Sequence, residues 1–204
     1  MPFRYPKIKR QRRHGPGGYA DCRRYKPWLR DEFEFRCVYC LCRERWFPDG
    51  DDCFSVDHVA PRNEAPELAY DYDNLVYACC QCNSAKRDAV GVRDPCHDPF
   101  ATDLEVLADG TIRALTPQGV FLIHACRLDR PKLTEFRRGT LELFCELNRR
   151  KNSAAAQLRR RFFGFPPNLP NLSDLKPPAG NSRPDGLASS HFARCERGEL
   201  PETY

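Results

Sequence analysis

The stretch from Phe54 to Arg87 decides the fold, and it reads FSVDHVAPRNEAPELAYDYDNLVYACCQCNSAKR. A C-x-x-C pair, Cys37 and Cys40, precedes it, and a second pair of the same spacing lies inside it at Cys79 and Cys82. Each C-x-x-C turn can present two thiolates to one tetrahedral zinc ion, so two turns supply the four ligands of a closed structural site. The sequence therefore predicts a four-cysteine zinc site that holds the chain on both sides of an intervening hairpin.

Two further cysteines, Cys42 and Cys80, are possible substitutes in this ligand set. The spacings Cys40 to Cys42 and Cys80 to Cys82 are shorter than in the usual zinc turn, which favours the first assignment. The eight of the twelve cysteines outside the assigned set, Cys42 and Cys80 among them, are expected to pack as small hydrophobic residues, because free cysteine is among the most buried residue types. They include Cys53, Cys96, Cys126 and Cys145.

The residues between the two zinc turns predict a strand, a loop, a second strand and a helix. The run 54–59 is β-prone and contains the polar pair Asp57 and His58, and a loop with two prolines follows it. The run 74–77 predicts the return strand. The run after the second zinc turn predicts a helix with Asn83 in its first turn. This order of elements is a ββα unit.

The order C-x-x-C, Asp-His, Asn-Leu and C-x-x-C-N-x-x-K closely resembles the zinc-stapled branch of the His-Asn-His (HNH) endonucleases. The resemblance covers about a quarter of the chain, from Cys37 to Arg87, and it is specific because six constrained positions occur in the right order. It implies a ββα-metal fold and metal-dependent hydrolysis of phosphodiester bonds in DNA. We therefore predict an α+β protein with a small ββα-metal nuclease core, stapled by a four-cysteine zinc site, with an added hairpin, C-terminal helices and extended termini.

The polar residues inside the zinc frame suit phosphodiester hydrolysis. His58 can deprotonate a water near neutral pH, and the resemblance implies the same role of general base. Asp57 and the amide oxygen of Asn83 are oxygen ligands of the kind that Mg²⁺ prefers, so we expect them to hold a catalytic divalent cation. The resemblance implies that Asn74 holds the loop and orients the histidine. Without the neighbouring motif, an Asp-His pair and a single Asn would more often be structural.

Positive charge is concentrated in two places outside this unit. The formal net charge is +5, yet residues 1–30 carry ten Lys or Arg against the single acid Asp21, a net of +9 that leaves −4 for the remaining residues. A second basic cluster, within residues 148–162, contains no acid. Both predict contacts with DNA phosphates, although a solubilising arm and a solvated helix face would have the same composition. The predicted nucleic-acid contacts are Arg10, Arg12, Arg13, Lys86, Arg87, Arg149, Arg150 and Lys151.

The second half of the chain predicts one more hairpin and further helices. Asp109 and Gly110 lie between two β-prone runs and predict a tight turn. Pro117 suits the first turn of a helix. Another helix is expected from about Pro131 to Leu147, continuing toward Phe163. The proline-rich stretch that follows could wrap the domain, dock on a partner or stay disordered.

Residues 1–30 contain no apolar run of the kind found in secretory signals, and no apolar run in the sequence is long enough to span a bilayer. Twelve reduced cysteines then favour a cytoplasmic protein, with DNA as its partner and no membrane contact. Resembling proteins occur in mobile elements and in anti-phage defence, which allows for a regulatory protein partner.

The alternative to a nuclease is a non-catalytic zinc-stapled nucleic-acid-binding module. No residue specifies an oligomeric state. The expected segments are a basic N-terminal arm over 1–30, the nuclease core with its zinc site over 31–100, the hairpin and helices over 101–163, and an extended Pro-rich tail over 164–204.

Overall fold

A two-stranded hairpin and the helix that follows it form the centre of the computed structural model, which describes residues 2–204. Met1, the first residue of the predicted basic arm, lies outside that range. Strand β1 (Phe54–His58) pairs along its whole length with the antiparallel strand β2 (Leu75–Cys79). Helix α2 (Cys80–Lys86) follows β2 without a loop. The predicted α+β class and ββα unit are confirmed.

Strand β2 is buried throughout, which explains its uniformly apolar sequence LVYAC. Helix α1 (Lys26–Glu32) contacts this strand and contributes the buried side chains Trp28 and Leu29. Each fully buried side chain of this kind stabilises the fold by roughly 1.5–3 kcal/mol. The backbone amide of Val38 donates to the Tyr77 carbonyl at 3.0 Å, so the turn after α1 is attached directly to β2.

The second predicted hairpin is also present. Strand β3 (Leu104–Val106) pairs with the antiparallel strand β4 (Ile112–Ala114). Gly110 in the turn has φ +82°, and a Cβ there would lie 2.5 Å from the Thr134 carbonyl oxygen. Only glycine satisfies both conditions, because other residues are strained at this φ and would clash with the neighbouring helix.

Three longer helices complete the second half. Helix α3 (Pro117–Cys126) begins at the predicted proline, and helix α4 (Pro131–Arg149) precedes helix α5 (Ser153–Phe163). The expectation of one helix continuing toward Phe163 is wrong. Asn152 starts a new helix there, because its side chain accepts a hydrogen bond from the Ala155 amide at 2.8 Å. None of the helices in residues 2–204 combines the length and the apolar character needed to cross a membrane.

Both ends of the chain are packed onto this framework. The tail runs across the N-terminal arm, where the Gly17 amide donates to the Gly180 carbonyl at 3.0 Å. Of the possibilities considered for the tail, the structure shows wrapping. Side chains from all four expected segments share one core, so the core does not mark where one segment ends and the next begins. The boundaries of the segments stay a prediction. The members of that core outside residues 31–163 are Phe3, Tyr5, Tyr19, Tyr25, Trp28, Leu29 and Leu172.

Asp31 on α1 joins the two ends through a buried network. One carboxylate oxygen lies 2.8 Å from His14 Nε2, and the other lies 2.9 Å from Nδ1 of His191, which begins helix α6 (His191–Glu196). Arg13 also lies 3.1 Å from this carboxylate. Burial alone would raise the pKa of Asp31, but the hydrogen bonds from the two histidines outweigh it and hold that pKa well below its usual range. The ionised carboxylate therefore stabilises the folded chain.

Replacing Asp31 with Asn should destabilise the protein by about 3 kcal/mol at neutral pH, because one partner of a buried charged network is removed. The folded-state pKa is depressed, so this stabilisation is present above the unfolded pKa of about 3.9 and is lost as pH falls below it. Urea unfolding at pH 7 and at pH 3 should show the difference between parent and variant shrinking in acid. Asp52→Asn, which alters a carboxylate whose side chain is 89% exposed, is the control. A constant difference at both pH values would contradict the ionic role of Asp31.

Candidate active site and metal centre

Four cysteine thiols converge at the junction of the hairpin and its two flanking turns. Cys37 and Cys40 come from the turn after α1, Cys79 ends β2, and Cys82 lies in the first turn of α2. All four are buried, their sulfur atoms lie within 4.8 Å of one another, and the Sγ atoms of Cys40 and Cys79 are 3.8 Å apart. Sulfurs around a tetrahedral zinc with Zn–S bonds of about 2.3 Å are separated by about 3.8 Å. The donor set therefore fits one structural zinc ion, as predicted.

The structure also decides between the alternative cysteines. Cys42 is buried but lies outside the four-thiol group, and Cys80 points to solvent from α2. The expectation that all eight remaining cysteines are buried is wrong for Cys80, Cys145 and Cys195, which are exposed. Cys145 lies on the solvent-facing side of α4.

An arginine outside the predicted core contacts the thiol group. Arg130, at the start of α4, places two guanidinium nitrogens 3.6 and 3.7 Å from the Cys82 sulfur. Four thiolates on one Zn²⁺ carry a net charge of about −2, so a nearby cation offsets part of that charge. Nothing in the spacing of the sequence pointed to Arg130, because it is about fifty residues away from the cysteine it contacts.

His58 stands at the end of β1 with one ring nitrogen held. Its Nε2 lies 2.9 Å from the Ala69 carbonyl oxygen, which can only accept, so Nε2 carries the proton. Within residues 2–204, Nδ1 forms no hydrogen bond and keeps its lone pair. Partial burial, together with the charge of Arg62, lowers the pKa of His58. The imidazole is therefore neutral at physiological pH and can accept a proton.

Asn74 holds the loop that positions His58. Its side-chain oxygen accepts from the Ala60 amide at 2.8 Å, and its side-chain nitrogen donates to the carbonyls of Ala60 and Leu68 at 3.1 and 3.2 Å. Leu68 directly precedes Ala69, the residue whose carbonyl holds the imidazole. The contacts of Asn74 thus correspond to the loop-holding role that the resemblance implied.

Asp57 lies one residue before the histidine and is almost fully buried. The Tyr39 hydroxyl donates to Oδ2 at 2.6 Å, while the Lys86 ammonium and the His58 amide lie 3.3 and 2.9 Å from Oδ1. Burial raises the pKa of Asp57, and the Lys86 charge opposes that shift. Three donors thus orient the carboxylate before any metal binds.

Asn83 faces β1 from the first turn of α2. Its side-chain nitrogen donates to Ser55 Oγ at 2.8 Å, and it also lies 3.4 Å from the Val56 carbonyl. No donor within residues 2–204 forms a hydrogen bond with its amide oxygen. One carboxylate and one free amide oxygen suit a hard cation that keeps most of its water ligands. The assignment of Asp57 and Asn83 to Mg²⁺ remains a prediction.

Two of the predicted nucleic-acid contacts are buried, which is a correction. Lys86 has no exposed side-chain surface, because its ammonium donates to the His58 carbonyl at 2.6 Å and pairs with Asp57. Arg12 is likewise enclosed, and donates to the Leu75 carbonyl at 2.6 Å. A buried, paired cation cannot reach a phosphate on bound DNA, so both side chains serve the fold. Sequence reasoning could not distinguish them from surface cations of the same type.

The other predicted contacts differ in accessibility. Arg10 stacks over the Phe33 ring with its guanidinium carbon 5.0 Å from the ring centre, and Arg13 pairs with Asp31. Part of each guanidinium group is therefore already engaged within the protein. Arg149 and Arg150 are mainly exposed and share Glu146. Such exposed pairs are weak, which leaves both guanidinium groups free to bind phosphate. The remaining exposed cations of the prediction are Arg87 and Lys151.

A comparison with protein families matches residues 37–89 to the model described as HNH endonuclease. That range contains all four thiols, the Asp57–His58 pair, Asn74 and Asn83. Residues 37–89 form an HNH endonuclease domain. A further similarity is to the Septu protein PtuB of Bacillus thuringiensis, 30% identical over 64 residues. The match covers 31% of this chain and 24% of that protein, so the chain spans about a quarter of the length of this relative.

The HNH domain ends in a strained turn at Arg87. This residue has φ 49° and ψ −127°, and the Ala89 amide closes the turn by donating to the Lys86 carbonyl at 3.0 Å. That geometry matches the first central position of a type II′ turn, which favours glycine. A non-glycine residue there costs about 1–3 kcal/mol. The turn directs an exposed arginine to the surface directly after the buried lysine that holds Asp57.

Arg87→Gly should therefore be more stable than Arg87→Ala by about 1 kcal/mol, once the greater freedom of glycine in the unfolded chain is subtracted. Both variants lose the same guanidinium, so both should weaken DNA binding equally. Urea unfolding and fluorescence anisotropy with a labelled duplex measure the two effects. Equal stability of the two variants would contradict the strained backbone, and unchanged DNA affinity would contradict the predicted phosphate contact.

Proposed function

We propose that this chain is a metal-dependent endonuclease that hydrolyses phosphodiester bonds in DNA. The observation that carries the proposal is the state of His58: its Nε2 proton is held by the Ala69 carbonyl, and its Nδ1 is left as a neutral acceptor. A non-catalytic nucleic-acid-binding module would need the zinc frame but would have no use for an imidazole prepared in this way. The HNH family match over residues 37–89 supports the same conclusion.

In the proposed mechanism, His58 Nδ1 removes a proton from the water that attacks the phosphorus atom. Asn74 maintains the reactive orientation of the imidazole by fixing the loop that carries Ala69. Asp57 and Asn83 would hold Mg²⁺ or another divalent cation, which when bound neutralises charge on the phosphate and the leaving oxygen. Lys86 keeps the Asp57 carboxylate in place. The two metals are thus separated by ligand type, sulfur for zinc and oxygen for the catalytic cation.

DNA would be held by exposed cations outside the hairpin. Arg87 lies at the end of the HNH domain. Arg149 is the last residue of α4, and Arg150 and Lys151 follow it before α5 begins. Binding through such contacts should weaken steeply with salt, because each phosphate contact releases counterions.

Similarity to a Septu protein supports a role in anti-phage defence, in which a regulatory protein controls the nuclease. This is a proposal for the chain as a whole, since the matched region is a quarter of that relative. A cytoplasmic location belongs to the same proposal. Copurification of an untagged protein with the tagged chain would support the regulated form, whereas full activity of the isolated chain would contradict dependence on a partner.

The direct test is cleavage of supercoiled plasmid by the zinc-loaded protein in Mg²⁺, with and without EDTA. His58→Ala should lower the cleavage rate by roughly 10²–10⁴-fold, the usual contribution of a general base. His97→Ala, which removes an exposed histidine, is the matched control. Cleavage by His58→Ala at the parental rate would refute the catalytic assignment. DNA binding without cleavage by the parent would favour the non-catalytic binding module.

A further inference from the structure

Tyr39 lies between two zinc ligands, in the turn Cys37-Val38-Tyr39-Cys40. Its backbone is held on several sides, because the adjacent Val38 amide donates to the Tyr77 carbonyl at 3.0 Å and the Tyr5 hydroxyl donates to the carbonyl of Tyr39 itself. The side chain is almost completely buried. Its ring stacks near Phe100, with ring centres 6.2 Å apart. The zinc turn thus fixes the position and direction of this phenol.

The hydroxyl of Tyr39 reaches the hydrolytic site. It donates to Oδ2 of Asp57 at 2.6 Å, at the end of a strand that lies well beyond the zinc turn in the chain. The opposite oxygen, Oδ1, receives the Lys86 ammonium and the His58 amide. The phenol is therefore the sole donor to Oδ2 within residues 2–204.

This arrangement determines what the carboxylate can still bind. An ionised carboxylate offers about four lone-pair positions, and three donors occupy three of them. The plane of the carboxylate is fixed by donors on both oxygens, which leaves roughly one position for a cation. In protein metal sites, hydrogen bonds from behind a ligand set its orientation, and their loss typically costs about 10–100-fold in metal affinity or activity.

We propose that Tyr39 is a positioning residue that holds Asp57 in the orientation needed to bind the catalytic divalent cation, and so connects the zinc frame to the hydrolytic site. The inference rests on the proposed assignment of Asp57 to that cation. Zinc would fix the turn that carries Tyr39, the turn fixes the position of the phenol, and the phenol fixes the orientation of the Asp57 carboxylate. The zinc site then has a catalytic consequence in addition to its structural one.

Tyr39→Phe removes the hydroxyl and keeps the buried ring. The matched control is Tyr77→Phe, because Tyr77 is also fully buried and its hydroxyl donates to a carboxylate at 2.7 Å, that of Glu44, away from the site. Zinc content and thermal unfolding establish that both variants are folded and metal-loaded. Mn²⁺ binding to the zinc-loaded proteins, followed by electron paramagnetic resonance, then measures the site without requiring activity.

Tyr39→Phe should weaken Mn²⁺ binding roughly tenfold, while Tyr77→Phe should bind as the parent does. With plasmid at subsaturating Mg²⁺, Tyr39→Phe should lower kcat and leave KM for DNA unchanged, because the buried phenol does not touch DNA. Raising the Mg²⁺ concentration should restore the cleavage rate of Tyr39→Phe. A variant whose fold was generally destabilised would not recover in this way.

The outcomes separate this inference from the proposed function. If Tyr39→Phe loses Mn²⁺ affinity but the parent cuts no DNA, the inference holds and the nuclease proposal fails. If the parent cuts DNA and Tyr39→Phe binds Mn²⁺ and cleaves like the parent, the inference is wrong and the function stands. Absence of Mn²⁺ binding by the parent, or an equal loss in Tyr77→Phe, would also overturn the role of Tyr39.

Discussion

The convergence of four buried thiols on one point is the constraint on which the rest of the structure depends. The thiols come from a turn that precedes the hairpin and from the junction of β2 and α2 that follows it, so one zinc ion bound there would join chain segments about forty residues apart. A β-hairpin of five-residue strands with one short helix has too little core to be stable alone. Structural zinc contributes directly to the folding free energy of such units.

The zinc frame explains how so small a unit can keep a polar site in order. Asp57, His58, Asn74 and Asn83 all lie on the hairpin or on the first turn of α2. Each makes side-chain hydrogen bonds to nearby backbone or side-chain groups. The remaining segments cover the surfaces that the ββα unit cannot bury. Arg130, directly before α4, and Tyr5 from the N-terminal arm both contact the zinc turns, so parts of the chain outside the HNH domain stabilise its metal centre.

Much of this could be predicted from the sequence because the decisive features are local. C-x-x-C spacing, an Asp-His pair at a strand end and an Asp-Gly turn each restrict the backbone over a few residues, and the ββα unit, the second hairpin and the ligand set followed from them. The only trace of the Tyr39–Asp57 hydrogen bond in the sequence is a tyrosine between two zinc ligands. The partner of that tyrosine could not be predicted, because it depends on how β1 is placed against the zinc turn in the folded chain.

Most of the errors share a physical origin, since they concern burial decided by distant segments. Lys86 and Arg12 look like surface cations in the sequence, but in the fold they are buried and donate hydrogen bonds to the His58 and Leu75 carbonyls. The basic arm looks unstructured until its aromatic residues reach the core. The break between α4 and α5 was locally visible at Asn152, but a capping residue is easily mistaken for a tolerated polar residue inside a helix.

The most direct test of the central claim is zinc K-edge X-ray absorption on the purified protein, together with metal analysis. We expect about one zinc per chain with four sulfur ligands at about 2.3 Å. Cys42→Ser should leave this spectrum unchanged, since Cys42 lies outside the ligand group, whereas Cys82→Ser should remove one sulfur or the metal itself. A folded protein without zinc, or a zinc bound by fewer than four sulfurs in the parent, would contradict it.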